Sequence, residues 1–169
     1  MNVYQLFPRI KAIVMDIDGV CTDNKILVTE EGQFLRSMNV KDGYAIKRAI
    51  QAGLKVGVIS GGRSEGTRIR FELLGVNAIY LSVENKLPVM KQILESWNLN
   101  FNEVAYIGDD IPDLEIMKQV GLPCCPSDAV PEIIDVSKYI SSFSGGNGCV
   151  RDIIEKILKA QGKWSIEKW

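Results

Sequence analysis

The chain has 169 residues, of which 20 are basic and 21 acidic, and its net charge is −1. This length is sufficient for one domain with a substantial core, and we expect residues 1–169 to form a single domain. The near-neutral net charge gives no indication of a nucleic-acid-binding surface, and no apolar run reaches the length of a membrane span. We therefore expect neither nucleic acid nor a membrane among its partners.

Histidine is absent, which excludes Ser-His-Asp and Cys-His catalysis and any metal bound through imidazole. A metal would then be a hard cation on oxygen ligands. The cysteines, at positions 21, 124, 125 and 149, lack the Cys-x-x-Cys spacing of zinc sites. The first ten residues also lack the apolar core of a secretory signal, so we expect reduced thiols and a cytoplasmic protein.

The first strand is predicted at residues 10–15 and ends at Asp16 and Asp18. Side chains at positions i and i+2 of a strand point to the same side, so the two carboxylates face one way. They then need a cation, a shared proton or water between them. The alternative is that they are solvated turn residues, since Asp and Gly are common turn formers.

A β-hairpin is predicted at residues 25–39, where two β-prone runs flank Gly32. It interrupts the expected step from strand to helix and is therefore an insertion. A helix from Asp42 to about residue 52 and a strand at 54–59 follow. Ser64 is predicted to cap the next helix, which runs to about residue 74.

The second half continues the alternation of strands and helices. Strands are predicted at residues 78–80, 104–107, 122–125 and 139–140, and helices at 86–97, 114–120, 129–136 and 150–160. Residues 144–148 are expected to form a flexible, glycine-rich hinge in a C-terminal tail that extends over about 144–169 and frays at its end. This pattern predicts an α/β fold, with a doubly wound, mainly parallel sheet covered by helices on both faces.

Ligands of doubly wound sheets bind beyond the carboxyl ends of the strands. Asp16, Asp18 and Asp109 all follow predicted strands and form a plausible Mg²⁺ site. Asp110 and Asp113 are expected to support this loop, Asp110 as a helix cap and Asp113 as a partner of the helix dipole.

Two further features follow the other strands. Ser60-Gly61-Gly62 could cradle a phosphate with its hydroxyl and backbone N–H groups, although a simple tight turn is an equal alternative. Lys86 opens a helix and can reach the same crevice, although most lysines are solvated.

Taken in order, these residues resemble the four motifs of the haloacid dehalogenase superfamily of phosphotransferases. The matching segments are Asp16-x-Asp18-Gly19-Val20-x-Thr22-Asp23, Ser60, Lys86 and Gly108-Asp109-Asp110-x-x-Asp113. The resemblance implies that Asp16 is the nucleophile and that Asp18 is the general acid and base. It also implies that Ser60 and Lys86 bind the phosphoryl group. Mg²⁺ would be held by Asp16, by the backbone carbonyl of Asp18 and by Asp109.

The segments between the motifs are too short for a cap domain, so the chain resembles the capless members. It is similar among these to the 3-deoxy-D-manno-octulosonate 8-phosphate phosphatases, in the hairpin and in residues 40–46 and 145–151. The resemblance implies a phosphorylated sugar acid as substrate and a role in lipopolysaccharide sugar synthesis. It also implies a homotetramer in which a neighbour's hairpin and C-terminal tail help to close the site.

One position departs from this pattern, because relatives often carry Arg where this chain has Gly62. We expect Arg63 or Arg70 to bind the sugar-acid carboxylate instead, together with Asp18, Gly61, Gly62 and Lys86 around the substrate.

Three alternatives remain open. The substrate could be a nine-carbon sugar-acid 9-phosphate, or the chain could be a catalytically silent oligomerisation module. A phosphoacceptor signalling domain fits less well, because such domains lack an Asp at the position of Asp18.

Overall fold

The computed structural model describes residues 2–164, and the expected frayed end of the tail lies outside this range. Its centre is a six-stranded sheet in the order β5-β4-β1-β6-β7-β8, in which every neighbouring pair is parallel. The strands are β1 (Ala12–Met15), β4 (Lys55–Ile59), β5 (Ala78–Tyr80), β6 (Val104–Ile107), β7 (Leu122–Cys125) and β8 (Tyr139–Ile140). The predicted doubly wound fold is confirmed.

The two central strands are buried on both faces, which explains their continuous apolar sequences. In β1, Ile13 and Met15 belong to one hydrophobic core, while Ala12 and Val14 belong to the core on the opposite face. The first polar side chain is that of Asp16, directly after the end of β1. Polar groups therefore lie at the carboxyl edge of the sheet, where the apolar strands end.

Helices cover both faces of the sheet. They are α1 (Val40–Gln51), α2 (Glu65–Leu73), α3 (Lys86–Trp97), α4 (Leu114–Met117), α5 (Pro131–Val136) and α6 (Cys149–Ala160). The two hydrophobic cores contain different helices: α1, α2 and α6 contribute to one, and α3, α4 and α5 contribute to the other. No helix within residues 2–164 has the length and apolar character needed to cross a bilayer.

Most predicted boundaries agree with the structure to within two residues. The bounds of α3 are those predicted, and Ser64 caps α2 by accepting a hydrogen bond from the Thr67 N–H. Helix α1 begins two residues earlier than expected because the Asn39 side chain caps it. The predicted helix up to residue 120 is wrong in its length, since α4 ends at Met117.

The hairpin forms a separate two-stranded antiparallel sheet of β2 (Leu27–Val28) and β3 (Phe34–Leu35) between β1 and α1. All four paired residues are exposed. Within the described residues, no other insertion between the strands is large enough to form a cap over the carboxyl edge.

The glycine-rich segment before α6 is tightly packed, so the expectation of a flexible hinge is wrong. A Cβ atom on Gly145 would lie 1.9 Å from the carbonyl oxygen of Gly19, and one on Gly146 would lie 2.6 Å from the backbone nitrogen of Asp23. The Gly146 N–H also donates to the carbonyl oxygen of Val20 at 2.9 Å. These glycines allow close backbone contact and fix the loop after β1 against the start of α6.

Candidate active site

A cavity of about 530 Å³ lies at the carboxyl edge of β1, β4 and β6. It brings together three predicted clusters that are far apart in the sequence. Its lining includes Asp16, Asp18, Ser60, Gly61, Gly62, Lys86, Asp109 and Asp110.

Three carboxylates cluster at this site: Asp16 and Asp109 line the cavity, and the fully buried Asp113 lies beside them. Oxygens of Asp16, Asp109 and Asp113 all lie within 4.8 Å of one another. The sequence predicts Asp18 as the third carboxylate of the metal site, but in the structure the third carboxylate of the cluster belongs to Asp113. The carboxylate of Asp18 points elsewhere, and the family resemblance assigns only its backbone carbonyl to the metal.

Lys86 supplies the positive charge of the cluster. Its Nζ lies 2.7 Å from Oδ2 of Asp16 and 2.8 Å from Oδ1 of Asp113, and its side chain is 3% exposed. The Asn85 side chain caps α3 and so fixes the helix turn from which Lys86 projects. The alternative of a solvated surface lysine is therefore wrong.

Asp113 has a larger structural role than the predicted dipole partner. Its Oδ1 accepts hydrogen bonds from Lys86 and from the Tyr106 hydroxyl at 2.6 Å, and its Oδ2 accepts one from the Asp109 N–H at 3.2 Å. A Cβ atom on Gly108 would lie 2.5 Å from the Cβ of Asp113, so only glycine fits there. Sequence reasoning missed Tyr106, because a tyrosine within an apolar strand is typical of the core.

Burial and mutual repulsion raise the pKa values of two of these carboxyl groups. Burial, with a further contribution from the charge of Asp113, raises the pKa of Asp16 to about 6 even though Lys86 opposes the shift. Burial and then the charges of Asp16 and Asp113 raise the pKa of Asp109 to about 7. Burial alone would lower the pKa of Lys86, but the charges of Asp113 and Asp16 outweigh it and raise that pKa.

The donor set fits Mg²⁺. Oδ1 of Asp109 is buried with no hydrogen-bond partner, while Oδ2 accepts from the Asn24 side chain at 3.1 Å. Gly19 has a φ of +88° and approaches Asp109 so closely that a Cβ atom would lie 1.9 Å from Oδ2. Mg²⁺ prefers carboxylate and water oxygens, and its charge would offset the repulsion that raises these pKa values.

The carboxylate of Asp18 pairs with an arginine from the hairpin. Nε of Arg36 lies 2.6 Å from Oδ1 of Asp18, and Nη2 lies 2.9 Å from Oδ2. Sequence reasoning missed this residue, because nothing in the hairpin distinguishes Arg36 from a solvated arginine. The hairpin thus contacts the candidate active site of the same chain.

Some of the remaining predicted residues lie in the catalytic cavity, and the two arginines lie outside it. The buried Ser60 hydroxyl oxygen accepts a hydrogen bond from the Gly62 N–H at 3.2 Å, and Asp110 caps the next turn as predicted. Arg63 is exposed and does not line the catalytic cavity. Arg70 lines a neighbouring groove of about 520 Å³ between the hairpin and α2.

Comparisons with known proteins agree with this geometry. Residues 78–153 match the model of the haloacid dehalogenase-like hydrolase family. The chain is 35% identical to the 3-deoxy-D-manno-octulosonate 8-phosphate phosphatase of Escherichia coli K12 over 155 residues, which are 92% of this chain and 82% of that protein.

Two solved structures are also similar. The Yersinia pestis 3-deoxy-D-manno-octulosonate 8-phosphate phosphatase superposes with a TM-score of 0.94 at 34% identity, over 96% of this chain and 88% of that one. The Moraxella catarrhalis phosphatase of the same name superposes with a TM-score of 0.92 at 32% identity, over 95% and 92% of the two chains. That structure contains a magnesium ion, a phosphate ion and a KDO molecule.

Proposed function

Because the chain belongs to the haloacid dehalogenase-like hydrolases of the 3-deoxy-D-manno-octulosonate 8-phosphate phosphatase family, we propose that it hydrolyses this sugar-acid phosphate with Mg²⁺. The observation that carries the proposal is the cluster of Asp16, Asp109 and Lys86, which line one cavity and are held together by the buried Asp113. Such a cluster suits a reaction in which a carboxylate must approach an anionic phosphate.

Asp16 is the nucleophile in this proposal. Its Oδ1 accepts a hydrogen bond from the Ile17 N–H at 2.6 Å and its Oδ2 pairs with Lys86, so the carboxylate is held in one orientation. An Asp16 oxygen bonds to phosphorus as the bond from phosphorus to the sugar oxygen breaks, and Asp18 protonates the departing oxygen. Asp18 then removes a proton from water, which attacks phosphorus and releases inorganic phosphate and free Asp16.

Mg²⁺ would be held by Asp16, Asp109 and the backbone carbonyl of Asp18. When bound, the ion would neutralise charge on the phosphoryl oxygens and so lower the barrier to attack by a carboxylate. The chain's own groups complete the phosphoryl site: the Lys86 ammonium, the Ser60 hydroxyl and the backbone around Gly61 and Gly62. Asp113 orients Lys86 and the Asp109 backbone without contact with the substrate.

The sugar-acid carboxylate is assigned to the side of the cavity that faces the hairpin. Of the two arginines predicted for this role, Arg70 is favoured, because it lines the adjoining groove together with Arg36, so that a carboxylate in this groove could contact both, whereas Arg63 is exposed to solvent. Arginine suits bidentate recognition of a carboxylate.

The proposed assembly is a homotetramer built on the hairpins. Exposed apolar side chains cluster on this insertion, namely Ile26, Leu27, Val28, Phe34 and Leu35. A hairpin with two residues per strand is marginal in water by itself, so packing against other copies would stabilise it. The four free cysteines support a reducing cytoplasm as the location.

Phosphate release with Mg²⁺ from a panel of phosphorylated sugar acids tests the function. We expect the eight-carbon 8-phosphate to be hydrolysed with the highest kcat/KM. A preference for the nine-carbon 9-phosphate would move the proposal to that sugar. A folded chain that releases no phosphate from any ester would favour the oligomerisation module, and stable phosphorylation without turnover would favour a phosphoacceptor domain.

A further inference from the structure

Arg36 directly follows the exposed strand β3, yet its side chain is almost fully covered. Its side chain is 8% exposed, whereas Phe34 and Leu35 beside it are 58% and 47% exposed. Its guanidinium donates to both oxygens of Asp18, at 2.6 and 2.9 Å, and also to the carbonyl oxygen of Phe34 at 3.4 Å. The hairpin is thus attached to the active site through a bidentate ion pair.

The ion pair with Arg36 engages both oxygens of Asp18, which is the residue that has to transfer the proton in the proposed reaction. A general acid and base has to face the oxygen that links the sugar to phosphorus, at hydrogen-bond distance. While Arg36 holds both carboxylate oxygens, Asp18 is turned toward the hairpin. Productive binding of the substrate therefore requires the Asp18–Arg36 pair to open.

The position of Gly62 explains why the cation comes from the hairpin. A Cβ atom on Gly62 would lie 2.9 Å from Nη2 of Arg36 and 2.9 Å from Oδ2 of Asp18, closer than such contacts normally allow. The guanidinium of Arg36 thus fills the space into which a side chain at position 62 would project. In this chain the cation beside Asp18 is supplied from position 36.

Arg36 also joins two cavities. It lines the groove of about 520 Å³ that contains Arg70, and its partner Asp18 lines the catalytic cavity. A substrate with its phosphate at Asp16 and its sugar toward the hairpin would bring a carboxylate to this junction. That carboxylate offers the guanidinium the same two acceptor oxygens that Asp18 now provides.

We propose that Arg36 is a positioning residue that couples substrate identity to the availability of Asp18. The substrate carboxylate takes over the Arg36 guanidinium, and Asp18 is released to turn toward the bridging oxygen of the phosphate ester. A phosphate ester without a carboxylate leaves Asp18 paired and reacts slowly. This inference rests on the proposed function and adds to it a source of selectivity within the chain's own hairpin.

The test compares Arg36→Gln with the unchanged enzyme on two alkyl phosphates, the sugar-acid 8-phosphate and a hexose 6-phosphate without a carboxylate. Loss of one bidentate ion pair predicts that kcat/KM for the sugar acid falls roughly 10- to 100-fold, partly through KM. For the hexose phosphate, kcat/KM stays constant or rises, because Asp18 is no longer held. Arg36→Lys should recover part of the selectivity, and the exposed Arg9→Gln serves as the matched control.

An equal fall in kcat/KM on both substrates, or no change on either, would overturn this role for Arg36. If Arg36→Gln unfolds, Arg36→Met gives the same test, because it keeps most of the length of the side chain and removes the guanidinium. Its selectivity should fall in the same direction, and unchanged selectivity would again contradict the inference. Failure of the unchanged enzyme on all esters would instead contradict the proposed function.

Discussion

The ammonium group of Lys86 lies 2.7 Å from Oδ2 of Asp16, at the start of α3 and at the end of β1 respectively. The contact joins residues 70 positions apart, and it exists because parallel strands bring their carboxyl ends to one edge. A buried cation beside two carboxylates reduces their repulsion and still leaves net negative charge for Mg²⁺.

Lys86→Ala should reduce kcat about 10²- to 10³-fold, as expected for loss of one electrostatic stabiliser. The metal-free variant should also melt at a lower temperature, because Asp16 and Asp113 lose their buried counter-charge. Steady-state kinetics and thermal denaturation measure the two effects. Lys91→Ala, at an exposed position of the same helix, is the control. A loss in kcat below about threefold would mean that Lys86 serves only the fold.

Asp113→Asn should weaken Mg²⁺ binding about 10- to 100-fold, as is typical when a group that orients metal ligands is changed. The amide keeps the shape, but its NH₂ must face a donor, either the Lys86 and Tyr106 groups or the Asp109 N–H. Titration of Mg²⁺ against the melting temperature measures this change, with the exposed Asp135→Asn as control. Unchanged Mg²⁺ affinity would show that Asp113 does not orient the metal ligands.

The sequence was sufficient for the fold and for the residues at the strand ends. Strands such as residues 104–107 and the helix at 86–97 have strong patterns and local caps, so their positions follow from the chain itself. The topology of a parallel sheet determines where its strands end, and it therefore predicts that Asp16, Ser60, Lys86 and Asp109 lie together.

The features that could not be predicted from the sequence are those that depend on the direction of side chains and on close packing. The roles of Arg36 and Asp113 follow from contacts across 18 and 27 residues, to Asp18 and Lys86, that no local pattern encodes. Gly145 and Gly146 suggested flexibility, although their actual role is close backbone contact with the loop after β1. Glycine permits both a flexible segment and close backbone contact, and only the position of the neighbouring backbone shows which of the two applies.

The stabilisation of the fold by Mg²⁺ should increase with pH. In the metal-free chain the pKa of Asp16 is about 6 and that of Asp109 about 7, above the ordinary value of 3.8. The folded state then keeps protons that the unfolded state releases, so these groups make the free energy of unfolding fall as pH rises from about 4 to about 7. Mg²⁺ displaces those protons, and its binding strengthens over the same interval.

Thermal denaturation with excess Mg²⁺ and with chelator, at about pH 5 and about pH 8, measures this dependence. The increase in melting temperature caused by Mg²⁺ should be larger at the higher pH and nearly absent in Asp109→Asn. An equal increase at both pH values would argue against these carboxylates as the ligands. Chelator should also abolish phosphate release, and added Mg²⁺ should restore it.

Charges placed on the hairpin should disrupt the assembly. Val28→Glu combined with Phe34→Glu should yield monomers or dimers, because both side chains are more than half exposed in the single chain and paired across β2 and β3. Sedimentation velocity measures the state, and Gln33→Glu on the same hairpin is the control for added charge. An unchanged chain that sediments as a fully active monomer at micromolar concentration would contradict the tetramer.

The most direct test of the central claim is to capture a phosphoryl group on Asp16. In Asp18→Asn the general base is lost, which should slow turnover roughly 10²- to 10⁴-fold. With p-nitrophenyl phosphate, whose leaving group needs no proton, the phosphoryl group should still transfer and then accumulate. Mass spectrometry of acid-quenched protein should then find one phosphoryl group on the peptide that contains Asp16, and none in Asp16→Asn. An active enzyme whose Asp18→Asn variant releases p-nitrophenol but never carries phosphate on that peptide would contradict the account.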